Sequence, residues 1–262
     1  MSASFLDDDL GTGGVGVVFT SASHDLGDQQ DAAARRHALG RLASGLGVAV
    51  AVVRQVHGRA VLRVGEAELA EASGGLVDLG READGLVTTV PGVALAIRVA
   101  DCVPILLADE DAGVVGAAHA GRAGVGKRVL DAVAAQMGAA GATRLTAWVG
   151  PHVCGACYEV PREMADAYAR VTGVPPTTTR WGTSGIDLQA GVAAQLASLG
   201  AEVHAYDACT LTDPALHSYR RDGAASGRQA GLIWLRGGRA TWGDADGHGS
   251  VLAKREREDT DG

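Results

Sequence analysis

Three apolar runs, GVAVAVV (47–53), VALAIRVA (93–100) and VVGAA (114–118), constrain this chain more than any other feature. Each leads within a few residues to a soft or borderline metal ligand: His57 in RQVHG, Cys102 in RVADCVPI and His119 in GAAHAG. Short apolar runs bounded by glycine, proline or polar residues predict buried strands. The ligands are 45 and 17 residues apart, which fits no zinc finger, where ligands come as close pairs on a knuckle or a helix. Only a folded sheet can bring them together, with three strand ends converging on one point. Two imidazoles and one thiolate are the set that leaves a fourth tetrahedral position open on a catalytic zinc. The bland alternative is a buried thiol acting as a small hydrophobe and two hydrogen-bonded histidines.

The rest of the pattern mixes strands and helices. VGVVF (15–19), ADGLVTTV, LTAWVG, VHAYDA and GLIWL predict further strands. QDAAARRHALGRLASGL predicts a helix that Gly47 ends, and 125–141 predicts one continuous helix with Val125, Val129, Val133 and Met137 along one stripe. PREMADAYARV starts a helix with proline in its first turn, and Asp187 caps another over 187–200. EAELAEASGG and GTGGVG (11–16) read as irregular or turn-forming. The intermixing, without a regular βαβ count, predicts an α/β or α+β sandwich with a mixed sheet flanked by helices. We expect a single catalytic domain over 1–235 and a mobile glycine-rich, charged tail over 236–262.

Composition excludes several function classes. The chain has 262 residues and a formal net charge of −8, so nucleic acid and anionic membranes, which need a clustered cationic footprint, are not expected partners. No apolar stretch has membrane-spanning length and FLDDDLG near the N-terminus is acidic, unlike a secretory leader. A cytoplasmic protein acting on small molecules, most simply a monomer, is the expectation. Its four cysteines should then be thiols. Cys154 and Cys157 form a CGAC pair, read as a loop pair with Cys157 packing beside Tyr158. The absence of a GxGxxG after a strand, or of a Walker loop, removes support for nicotinamide or ATP.

The succession QVHG (55–58), ADGLVT (83–88), ADCVPI (100–105), GAAHAG (116–121), GP…CYEV (150–160), DL (187–188) and SYRRDG…GR (218–228) resembles, in order, the laccase-domain (polyphenol oxidase-like) family. The resemblance runs from Phe19 to Leu235. It implies a zinc-dependent purine nucleoside phosphorylase that cleaves adenosine, inosine or methylthioadenosine with phosphate, with adenosine deamination as a side activity. It also implies a fold like that of the cytotoxic necrotizing factors. By position, the family's zinc ligands fall on His57, Cys102 and His119, the trio already selected by chemistry. The chain departs from the family at HAGRAG, where HAGWRG is common, so that Arg122 and Ala123 replace tryptophan and arginine. His217 stands where an aromatic usually precedes SYRRDG, and Ala156 precedes Cys157 with an extra Cys154 upstream.

These readings give candidate roles. His57, Cys102 and His119 are the catalytic and metal-binding residues, with zinc preferred and copper as the less favoured ion. Arg220, Arg221, Arg228 and Arg122 are the candidate binders of phosphate, since guanidinium forks suit such anions. Asp84 and Asp101 flank the ligands as candidate orienting partners for the histidines. Rival readings use the same residues: Cys102 as the nucleophile of a cysteine hydrolase or amidase in peptidoglycan precursor editing, or copper-dependent polyphenol oxidation. The latter is disfavoured because the eight histidines include no HxH pair. A non-enzymatic metal-binding protein is disfavoured because a structural zinc normally has four protein ligands.

Overall fold

The structure is a computed structural model that describes residues 6–27 and 32–237. The tail expected from 236 therefore lies outside the described residues except for its first two. Arg236 itself is tied down: its backbone N–H donates to the Gly14 carbonyl and its guanidinium reaches Asp9.

Along the chain the strands are β1 (Val15–Phe19), β2 (Ala49–Arg54), β3 (Val61–Val64), β4 (Leu76–Glu82), β5 (Gly85–Thr88), β6 (Val93–Val99), β7 (Val103–Asp109), β8 (Val114–Ala120), β9 (Thr146–Val149), β10 (Thr177–Thr178), β11 (Ser184–Gly185), β12 (Glu202–Ala205) and β13 (Gln229–Leu235). The helices are α1 (Ala32–Leu46), α2 (Glu66–Ala70), α3 (Arg122–Gly126), α4 (Val129–Ala139), α5 (Arg162–Thr172), α6 (Leu188–Ser198) and α7 (Tyr219–Asp222). Where one mixed sheet was expected, the described residues form two, beside a separate antiparallel pair β10-β11. One mixed sheet has the order β1-β13-β6-β2-β4 and the other β12-β9-β7-β8-β5-β3, and each contains parallel and antiparallel pairs.

Side chains of a strand alternate between faces, and here that alternation builds four layers. In β2, Ala49, Ala51 and Val53 pack between the sheets, whereas Val50 and Val52 pack with Leu39 and Leu42 of α1 on the outer face. In β7, Leu106 and Ala108 join the inter-sheet core, whereas Ile105 and Leu107 face Leu130, Val133 and Met137 of α4 and Leu196 of α6. The result is helix, sheet, sheet, helices: a mixed α/β fold with sheets flanked by helices. Both faces of the central strands are covered, which is why their sequences run nearly continuously apolar.

Two local expectations fail for identifiable reasons. The continuous helix over 125–141 is broken into α3 and α4 because Arg128 takes a left-handed conformation, φ 59°. The break turns the chain while leaving Val125, Val129, Val133 and Met137 all buried. The supposedly irregular EAELA is α2, nucleated by Glu68, whose carboxylate accepts the Gly65 backbone N–H at 2.9 Å. By contrast, Asp187 caps α6 by accepting the Ala190 N–H, and Gly47 ends α1 with φ 70°.

Candidate metal centre and active cavity

His57 lies in the loop after β2, Cys102 in the turn between β6 and β7, and His119 inside β8 one residue before its end. Their ligand atoms all lie within 4.8 Å of one another. The Cys102 sulfur is 3.8 Å from His57 Nε2, and the two imidazoles meet edge to face with centroids 4.7 Å apart. Such closeness is possible because residue 121 is glycine. A Cβ there would lie 2.8 Å from His57 Cδ2 and 2.9 Å from the Cys102 sulfur, so any other side chain would push the ligands apart.

Asp84 builds this half of the site. It is fully buried immediately before β5, and its carboxylate accepts the backbone N–H groups of Val56 (3.2 Å), His57 (2.9 Å) and Gly58 (2.6 Å). His57 has φ 56°, a left-handed conformation that costs a non-glycine residue about 1–3 kcal/mol and persists only where neighbours over-determine it. Three converging N–H donors do so. The same carboxylate accepts from His119 Nδ1 at 2.7 Å, which fixes the ring and leaves Nε2 as the free nitrogen, the arrangement typical of a metal-bound histidine. Burial would raise the Asp84 carboxyl, but the His119 hydrogen bond and the Gly58 and Val56 N–H groups outweigh it and hold it below the ordinary carboxylate value.

Asp101 builds the other half. It precedes Cys102, has φ 86° and is buried, yet its carboxylate hydrogen-bonds to neither histidine. Its carboxylate accepts from the hydroxyls of Thr210 and Ser218 and from the Arg220 backbone N–H, each at 2.7 Å. Its own carbonyl accepts the Val153 N–H. Asp101 therefore gathers three distant loops against the Cys102 turn.

The thiol and the buried imidazole polarise each other. Burial pushes the Cys102 thiol up, but the His119 charge and hydrogen bond, with the His57 hydrogen bond, bring it down to about 6. Burial would lower His119, but the Cys102 charge and the Asp84 hydrogen bond raise it to about 9. These opposite shifts favour a thiolate beside an imidazolium near neutral pH, and a bound cation would take the place of the His119 proton.

The centre opens into a cavity of about 790 Å³, within the size range of small-molecule sites. His57, Cys102, His119, Tyr158, Tyr219, Arg220 and Arg228 line it, with Arg35 and Arg98. The Arg220 guanidinium stacks on Tyr158 at 4.4 Å from the ring centroid and donates to the Glu159 carbonyl. Arg228 donates to the Ser226 and Gly227 carbonyls and lies 5.9 Å from the Tyr219 ring. The four arginines singled out in the sequence thus separate. Arg220 and Arg228 face the cavity. Arg221 turns away, donating to the carbonyls of Thr210, Asp213 and Leu216 and pairing with Asp222. Arg122 opens α3 outside the cavity lining, near enough for its charge to act on Tyr158. Tyr158 and Tyr219 were not singled out as site residues. Their signal was the aromatic in CYEV and SYRR, which by itself does not distinguish packing from a cavity wall.

Residues 12–236 match the family described as multi-copper polyphenol oxidoreductase laccase, and this chain belongs to that family. Among particular proteins, it is 49% identical over 189 residues to purine nucleoside phosphorylase ORF3 of Streptomyces griseus, covering 70% of this chain and 73% of that one. It is 43% identical over 224 residues to a purine nucleoside phosphorylase of Corynebacterium glutamicum, covering 83% and 87%. The crystal structure of the Neisseria meningitidis protein NMB0706 superposes with a TM-score of 0.73 at 29% identity, over 86% of this chain and 96% of that one. No helix among the described residues is long and apolar enough to cross a membrane.

Proposed function

We propose that this chain is a zinc-dependent purine nucleoside phosphorylase that splits adenosine or inosine with phosphate into ribose 1-phosphate and the free base. The carrying observation is one cavity with the His57, Cys102 and His119 donors beside Arg220 and Arg228, and aromatic faces at Tyr158 and Tyr219. The activity named for the Streptomyces and Corynebacterium relatives supports the same reading. In this reaction a phosphate oxygen bonds to C1′ of the ribose as the bond from C1′ to the base nitrogen breaks. The electron pair and a proton go to the base. Guanidinium groups suit the phosphate through charge-assisted hydrogen bonds; Arg220, stacked on Tyr158, and Arg228 line the cavity and would bind it. The tyrosine rings offer flat apolar surface to a purine.

His57, Cys102 and His119 would hold the cation, with Asp84 orienting His119. Zinc, when bound there, would supply a Lewis acid at one end of the cavity, and would also give hydrolytic deamination of adenosine a route. Zinc fits better than copper. Two imidazoles and one thiolate with an open fourth position are a catalytic zinc set, and the multi-histidine ligand set with HxH pairs that a multicopper oxidase needs does not occur among the eight histidines. We read the four-layer sandwich as the necrotizing-factor-like fold implied by the resemblance, formed as one catalytic body over 1–235. A cytoplasmic monomer without nucleic-acid or membrane partners remains our expectation from composition.

A second reading draws on the Cys102 thiol, lowered to about 6 beside His57 and His119: a cysteine nucleophile that cleaves an amide in peptidoglycan precursors. One experiment separates them. Adenine release from adenosine by the zinc-loaded protein should rise and saturate with phosphate, yielding ribose 1-phosphate, and should vanish after rigorous chelation. Arg220→Ala should weaken apparent phosphate affinity about tenfold, a loss of about 1.4 kcal/mol. Arg221→Ala should leave phosphate dependence unchanged and cost stability instead. Phosphate-independent adenine release overturns the phosphorylase assignment, and full activity of the metal-free protein replaces it with the cysteine nucleophile.

A further inference from the structure

Away from the cavity centre, Cys154, Cys157 and Cys209 bring three sulfurs within 4.8 Å of one another. We propose that these three thiols form a second metal site, holding a zinc ion as a three-thiolate clasp with solvent in the fourth position, separate from the His57, Cys102 and His119 centre.

The local geometry favours a shared central partner. Cys154 and Cys157 sit on one tight turn, in which the Cys157 and Tyr158 N–H groups donate to the Cys154 carbonyl at 2.8 and 3.0 Å. This brings two thiols of a CxxC to the same side, as in a zinc knuckle. The third sulfur comes from another loop, which runs beside the first through a bridge between His152 and Cys209. The Cys154 backbone N–H donates to the Cys209 sulfur at 3.5 Å, the kind of contact that steadies a metal thiolate. A tetrahedral zinc about 2.3 Å from each sulfur needs sulfurs about 3.8 Å apart, so a closure of at most about 1 Å completes the clasp. A disulfide would join two sulfurs and leave the third idle, whereas a cation engages all three. Cys157 is buried while Cys154 and Cys209 are partly exposed, giving an ion an entry side and solvent a fourth position.

The clasp would join the loop that gives Tyr158 to the active cavity and the loop whose Thr210 holds Asp101 beside it. Cys157 is followed by Tyr158, the ring on which Arg220 stacks. Cys209 is followed by Thr210, whose hydroxyl reaches Asp101 beside Cys102. A metal here acts on the cavity by position, without touching substrate.

Cobalt(II) substitution under anaerobic, reducing conditions tests the site, because thiolate-to-cobalt charge transfer grows with the number of sulfur ligands. The chelated full chain should bind two equivalents of cobalt. Cys102→Ser should keep one equivalent with the intense, sulfur-rich band, and Cys154→Ala/Cys209→Ala should keep one with the weaker band of a single thiolate. As a readout on the unaltered chain, saturating zinc should slow alkylation of Cys154, Cys157 and Cys209 together, scored by peptide mass spectrometry. The proposal is overturned if the wild-type chain binds a single equivalent with one-thiolate intensity, if zinc leaves these three thiols equally reactive, or if two of them are recovered as a disulfide after reductive purification.

Discussion

Asp84 and Asp101 make an instructive pair. Both are buried carboxylates beside the His57, Cys102 and His119 trio, and both gather hydrogen bonds from distant segments. Asp84 binds a titratable ring, His119, together with the strained His57 turn. Asp101 binds only hydroxyls and a backbone N–H, from Thr210, Ser218 and Arg220. One carboxylate therefore sets the charge and direction of the donors, and the other sets the position of the opposite wall. A single buried residue type does two jobs because its partners differ.

The sharpest break in the comparison is Asp84→Asn. An amide cannot accept three backbone N–H bonds while neutralising His119, so we expect about 3–5 kcal/mol of lost stability, the scale for stripping one partner from a buried charge pair. Zinc affinity should fall about 10–100-fold, as for removal of a residue that orients a metal-bound histidine. Denaturant melts and zinc competition with a chromophoric chelator measure both. Unchanged zinc affinity would sever Asp84 from the centre.

Asp101→Asn should act more gently and elsewhere. Asparagine tolerates the left-handed backbone at this position and can still accept hydrogen bonds, so about 1–3 kcal/mol of stability is at stake. Zinc content should stay at the wild-type level, while the Michaelis constant for phosphate rises as the Arg220 segment loosens. Loss of zinc equal to that of the Asp84 variant would erase the distinction between the two carboxylates.

How much of this was legible in the sequence follows the same division. His57, Cys102 and His119 could be singled out because few residue types make soft ligands and each closes an apolar run. Asp101 could be noted from its adjacency to Cys102 and Asp84 from its motif ADGLVT between two of the ligands, and both read as partners of the histidines; only the three-dimensional path of β5 and the Cys102 turn separates them. Arg220 and Arg221 are identical neighbours, and nothing local tells which guanidinium faces the cavity and which is consumed by carbonyls at 210, 213 and 216. Cys209 joins Cys154 and Cys157 only through the parallel approach of two loops. The break at Arg128 likewise depends on tertiary packing, which keeps the four-residue stripe buried on both sides of it.

The smallest expected effect is also the most specific to Asp84. In the metal-free protein His119 is raised from 6.5 to about 9, so its contribution to stability is present below about 6.5 and lost as pH rises through about 9. Cys102 is lowered from 9.0 to about 6, so its contribution is present above about 9 and lost as pH falls through about 6. The opposite slopes cancel between about 6.5 and 9, because folded and unfolded chains then bind the same number of protons at this pair. The pair's contribution to the stability of the metal-free protein should therefore be nearly flat across that window and decline only slightly, by less than about 1 kcal/mol, below it. Asp101, whose partners do not titrate in this range, should leave the profile's shape unaltered when replaced by asparagine. Asp84→Asn removes the charge that favours imidazolium, so the upper edge of the flat window should move down from about 9. A steep slope between pH 7 and 8 in the wild-type protein would mean that the thiol or the imidazole titrates alone, and the coupling ascribed to the pair would be wrong.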